Sequence, residues 1–88
     1  MTSERGEREL VLYHTAGCHL CELAEAIALP LAAAVGVRLR LVDIAASDAL
    51  MERYGTRIPV LRNPAALGEE IGWPFDEAAV CGLLAGLS

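Results

Sequence analysis

The sequence is short of positive charge: seven basic residues face twelve acidic ones, for a net charge of −5. Binding a phosphate backbone needs clustered Lys and Arg, so no nucleic-acid partner is expected. A long apolar run is also missing. The longest, about Leu23 to Val37, is broken by Glu25, Pro30 and Gly36 and is too short to span a bilayer, so no membrane partner is expected. Met1 to Glu9 mix both charge signs without an apolar stretch, unlike a secretory signal. Residues 1–8 read as a short flexible tail and residues 9–88 as one domain. Cysteine is scarce, with three in the chain and one close pair. If the sequence starts at its natural beginning, a cytoplasmic location is expected. Thiols there are kept reduced, and a close pair is more often catalytic or metal-binding than structural.

What is present is apolar material, 55% of the residues, in patterns that specify elements. Leu10 to His14 is a continuous run of strand formers, expected to be a central strand buried on both faces. Thr15-Ala16-Gly17 is a turn. From Cys18 the pattern turns helical, with Leu20, Leu23, Ala24, Ile27 and Leu31 as the expected apolar face. Pro30 should kink or reset this helix, and Gly36 is a C-cap. Val37 to Asp43 alternates, as in a strand near a sheet edge with Arg38 and Arg40 on its wet face. Ser47 or Asp48 caps a short helix, Ala49 to Tyr54, stopped at Gly55. Ile58 to Arg62 is strand-like, Asn63 to Gly68 a loop, and Glu69 to Trp73 a return strand. Asp76 caps a last helix with Ala79, Val80, Leu83, Leu84 and Leu87 as its apolar face.

The order is β-α-β-α-β-β-α. The first two strands should be parallel through a right-handed crossover, and the last two an antiparallel hairpin. The expected fold is α/β, a mixed four-stranded sheet flanked by three helices.

Cys18-His19-Leu20-Cys21 lies where the first strand passes into the first helix. Unpaired N–H groups and the partial positive charge of a helix start stabilise a thiolate, so the Cys18 pKa should fall below that of a free cysteine. Cys21, one turn further in, suits the attack that resolves a mixed disulfide on Cys18. Gly17 permits the sharp turn before them. Other readings stay open: a structural disulfide, which would close very little chain; a metal site, which would need ligands beyond one pair, Cys81, His14 and His19; or two buried helix cysteines.

The segment Leu12 to Cys21 resembles the strand, turn and active-site motif of the glutaredoxin and thioredoxin superfamily. Tyr54-Gly55-Thr56-Arg57-Ile58-Pro59-Val60-Leu61 is similar to that family's approach to its cis-proline strand. Gly72-Trp73-Pro74-Phe75-Asp76 resembles the stretch before the last helix of the small bacterial glutaredoxin-like proteins. The resemblance implies a thioredoxin-like fold and thiol–disulfide oxidoreductase activity, with Cys18 and Cys21 catalytic. It also implies a cis Pro59 facing the cysteine pair and leaving the backbone of Ile58 for an extended substrate. No metal and no cofactor are expected.

Two departures from the family pattern bear on the partner. Thr15 stands where glutathione-using members carry a basic residue. Trp73-Pro74-Phe75-Asp76 replaces their Gly-Gly and acidic residue. The expected partner is therefore a protein or peptide disulfide, with glutathione a poor one and Arg57 the nearby cation, free to swing toward the site or away. His19 either stabilises the Cys18 thiolate or is simply exposed. Cys81 is expected in the core, Trp73 in packing or walling a groove, and the protein to be a monomer. The alternative in a different class is a non-catalytic module of this fold that binds a partner or a metal through the pair.

Overall fold

The computed structural model describes residues 8–64 and 69–86. Most of the expected tail, part of the expected 63–68 loop, and Leu87 lie outside the described residues. The elements are β1 (Glu9–His14), α1 (His19–Ala34), β2 (Arg38–Asp43), a short 3-10 turn (Ile44–Ala46), α2 (Asp48–Tyr54), β3 (Val60–Asn63), β4 (Glu69–Gly72) and α3 (Glu77–Ala85). The sheet order is β2-β1-β3-β4. β1 runs parallel to β2 and antiparallel to β3, and β3 runs antiparallel to β4. This is the expected α/β, thioredoxin-like arrangement of a mixed four-stranded sheet with three helices.

The inner position of β1 explains its unbroken apolar run. Successive side chains point to opposite faces, and both faces are covered. Leu10 and Leu12 join Leu61 of β3 against α1 and α3. Val11 and Tyr13 join Val60 of β3 against Ile44 and Tyr54. The outer strands bury less, and at β2 Leu41 remains 43% exposed beside the charged residues of this edge.

The buried stripe of α1 differs from the expected one. Cys21, Ala24, Ala28 and Ala32 are buried, with Ile27 and Leu31 partly so, whereas Leu20 and Leu23 are exposed. Apolar residues occur around most of this helix, so spacing alone does not single out the buried side. Small alanines four apart let the helix backbone sit close to the sheet. The helix also continues unbroken through Pro30, whose ring lies on the exposed side, where solvent can bond the carbonyl it leaves unpaired. The helix ends as a Schellman motif. Val37 N–H donates to the Ala32 carbonyl at 2.9 Å and Gly36 N–H to the Ala33 carbonyl at 3.1 Å, with Gly36 left-handed at φ +72°.

The caps of the later helices match the sequence. Ser47 Oγ accepts from Leu50 N–H at 3.3 Å, and Asp76 Oδ1 accepts from Ala79 N–H at 2.9 Å. Val80, Leu83 and Leu84 are the buried residues of α3. The fully buried Asn63 ends β3 and donates from Nδ2 to the Leu83 carbonyl at 3.4 Å, tying the strand to that helix. No helix among the described residues is long and apolar enough to cross a membrane.

Candidate active site

Gly17, at φ +78°, adopts the left-handed backbone that turns the end of β1 into α1. Cys18 follows as the N-cap of α1, and its Sγ accepts from Cys21 N–H at 3.2 Å. A sulfur therefore occupies the place usually taken by a capping oxygen. Cys18 and Cys21 form a disulfide with their Cα atoms 5.2 Å apart, inside the usual range for such a bond. Cys18 is half-buried, while Cys21 is only 4% exposed. The accessible sulfur is thus the one at the helix tip.

Toward β2 lies a cavity of about 160 Å³ whose lining includes Thr15, Cys18, Cys21, Glu22, Glu25 and Leu41. Its ionisable lining, apart from the cysteines, is the carboxylates of Glu22 and Glu25 and the imidazole of His14, and no Arg lines it. Toward β3, the Ile58–Pro59 bond is cis, as the family resemblance implied, and so is Trp73–Pro74, for which no expectation was made. The pairing of Tyr13 with Val60 carries Pro59 toward the His14 end of β1, from which the chain turns into Cys18. The backbone here is partly committed. Ile58 N–H donates to the Tyr54 carbonyl at 3.1 Å, and the Pro59 carbonyl accepts from Trp73 N–H at 3.1 Å. Among the described residues no backbone N–H pairs with the Ile58 carbonyl.

His19 points outward, with Nδ1 3.6 Å from Glu22 Oε1 and both side chains more than 70% exposed. Arg57 is not free to swing: its Nη2 donates to Glu70 Oε1 at 2.9 Å. Trp73 is half-buried against the core and meets Phe75 edge-to-face at 5.1 Å. The expectation for Cys81 is corrected. It is an exposed free thiol, because Val80, Leu83 and Leu84 take the inward face of α3 and Cys81 falls beside that stripe. A larger cavity, about 250 Å³, lies next to it between α1 and α3 and away from the disulfide. Among the described residues no group of three or more His, Cys, Asp or Glu is gathered as a metal ion would require.

One cluster near the site escaped sequence reasoning. The Tyr13 and Tyr54 rings stack 4.3 Å apart. Tyr54 Oη donates to Glu70 Oε2 at 2.8 Å, while Arg57 holds the other oxygen of that carboxylate. Arg53 and Arg57 each stand 5.3 Å from the centre of the Tyr54 ring, within cation–π range. Burial and the adjoining Glu70 carboxylate push the Tyr54 hydroxyl pKa up. Burial pushes Glu70 up, but the hydrogen bonds from Tyr54 and Arg57 outweigh it and hold its carboxyl below the usual range. The only local signal was Tyr54 and Arg57 closing on Ile58-Pro59. Glu70 joins them solely through the β3–β4 pairing.

Comparison with known proteins places this geometry in context. The family model for the glutaredoxin-like domain (DUF836) matches residues 9–85. Among solved structures, the chain is similar to protein XcR50 from X. campestris, at 39% identity and a TM-score of 0.70, over 86% of this chain and 95% of that one. It is also similar to protein Ne2328 from Nitrosomonas europaea, solved by NMR, at 31% identity and a TM-score of 0.69, over 86% and 88% of the two chains. No curated protein matches it.

Proposed function

The chain belongs to the glutaredoxin-like domain family, and on that premise we propose that it is a dithiol–disulfide oxidoreductase acting on protein or peptide disulfides. The observation that carries the reading is Cys18 at the tip of α1, half-exposed, and within bonding distance of a buried Cys21. In the reduced protein the unpaired N–H groups of the first turn favour a thiolate at Cys18. That thiolate attacks one sulfur of the substrate disulfide, forming a Cys18–substrate bond and expelling the other sulfur as a thiolate. The Cys21 thiolate then attacks Cys18 Sγ, expels the second substrate sulfur and closes the Cys18–Cys21 disulfide. Two electrons pass to the substrate, and the protons lost by the two cysteines are matched by those taken up by the two released thiolates. A dithiol donor restores the reduced pair by the reverse exchange, which suits a reducing compartment such as the cytoplasm.

Charge supports the choice of substrate. Binding the carboxylates of glutathione calls for a cation or converging N–H groups. The cavity beside the pair presents two carboxylates, Glu22 and Glu25, against a single imidazole, His14, and Arg57 is engaged by Glu70. An extended peptide can instead pair through the Ile58 carbonyl, a contact that does not depend on charge. Losing a charge-assisted contact is worth about 1.5–3 kcal/mol, or tenfold or more in affinity.

The test compares two substrates and two variants. A protein disulfide should be turned over well and a glutathione mixed disulfide poorly. Cys18→Ser should be inactive, and Cys21→Ser should stall as a mixed disulfide on Cys18, detected by mass spectrometry. Robust glutathione-coupled turnover would refute the substrate choice, and an active Cys18→Ser would refute the mechanism.

A further inference from the structure

The segment between α2 and β3 is short and solvent-facing, yet its ends are fixed by one carboxylate. Gly55, Thr56 and Arg57 are all exposed. Tyr54 Oη reaches Glu70 Oε2 at 2.8 Å from one side of the turn, and Arg57 Nη2 reaches Glu70 Oε1 at 2.9 Å from the other. The Tyr54 carbonyl closes the turn by accepting from the N–H groups of Arg57 at 2.8 Å and Ile58 at 3.1 Å. The Tyr54 ring cannot drift, because it is 1% exposed and stacked on Tyr13 of β1. Glu70 itself belongs to β4, paired with Arg62 of β3, so the brace is anchored to the sheet rather than to the turn.

From this geometry we propose that Glu70 is a positioning residue that holds the Tyr54–Ile58 turn so that the Ile58 carbonyl meets an extended substrate in register. The proposal rests on the oxidoreductase reading and adds a residue to it. Glu70 touches neither sulfur, so it governs docking of peptide disulfides and leaves the reactivity of Cys18 alone. A disulfide without a peptide backbone has nothing to pair with Ile58 and should not register the loss of the brace. Of the substitutions available, Glu70→Gln turns an N–H₂ toward one of its two donors. Tyr54→Phe removes a single hydrogen bond and keeps the ring stack.

The experiment measures steady-state reduction of a peptide disulfide and of a small disulfide, hydroxyethyl disulfide, by wild type, Glu70→Gln and Tyr54→Phe, with the potential of the cysteine pair recorded for each. For Glu70→Gln, KM for the peptide should rise about tenfold, the weight of roughly one hydrogen bond, with kcat, small-disulfide turnover and potential unchanged. Tyr54→Phe should give the same pattern with a smaller rise, and it guards against a Glu70 variant that does not fold. Amide hydrogen exchange at Arg57 and Ile58 should accelerate in both variants. If both substrates suffer equally, if neither does, or if exchange at Ile58 is unchanged, the assignment is overturned while the oxidoreductase reading stands. Wild-type protein that reduces neither disulfide overturns that reading and this assignment with it.

Discussion

The two faces of the sheet are built from different materials. On the α1 and α3 face the packing is mainly alanine, leucine and valine, with the buried Asn63 amide bonded to the Leu83 carbonyl as its polar tie. On the α2 face, two stacked tyrosines lead outward to a carboxylate shared with an arginine. Each face supports one half of the candidate site. The apolar face seats the helix that carries Cys18 and Cys21, and the polar face braces the turn into Ile58 and Pro59. Dispersion and apolar burial do not respond to pH, whereas a charged brace does. The chemistry of the sulfurs and the docking of substrate should therefore be separable by solution conditions.

The largest effect should come from breaking the apolar face. Leu12→Ala removes a side chain 1% exposed beneath α1 and should cost about 2–5 kcal/mol through lost burial and a cavity. Denaturant unfolding would measure it, and a cost below 1 kcal/mol would mean that this core is not the seat of the helix.

A smaller and pH-dependent effect belongs to the brace. The Glu70 carboxyl lies below its ordinary range in the folded protein. Its contribution to stability is therefore present above the unfolded carboxylate pKa and is lost as pH falls through the folded value. The Tyr54 hydroxyl is raised above 10.0. Its contribution is complete below that value and is lost as pH rises through the folded one. Melting temperature against pH should fall at both extremes in wild type, more gently in acid for Glu70→Gln and more gently in alkali for Tyr54→Phe. Parallel curves for all three proteins would remove the brace from the stability account.

The smallest effect should be at His19. Both it and Glu22 are more than 70% exposed, at 3.6 Å, and an ion pair so placed in water is worth little. His19→Ala should leave the melting temperature and the rate of Cys18 alkylation essentially unchanged. A marked drop in alkylation rate would restore a role for the histidine at the thiolate.

Local patterns were enough for the strand run Leu10 to His14, the caps at Ser47 and Asp76, the Gly36 terminus and the Cys18–Cys21 spacing, because each depends on neighbours within one turn or one strand. Long-range choices were not legible. In α1 the sequence offered both leucines and alanines for burial, and closeness to the sheet selected Ala28 and Ala32 over Leu20 and Leu23. In α3, where apolar residues surround the helix, Cys81 looked inward and faces out. Glu70 is sixteen residues from Tyr54 and reads as a charge on a return strand until β3 and β4 are paired. The cysteine spacing and the cis Ile58–Pro59 segment were thus foreseen, and the Tyr54–Glu70–Arg57 cluster was not.

The most direct measurement is competitive labelling of the reduced protein with a limiting amount of iodoacetamide, followed by peptide mass spectrometry. Cys18, at the helix tip, should be modified first, Cys81 more slowly as an ordinary exposed thiol, and Cys21 last. After oxidation only Cys81 should label. Modification of Cys21 ahead of Cys18 would contradict the assignment of nucleophile and resolving thiol on which the account rests.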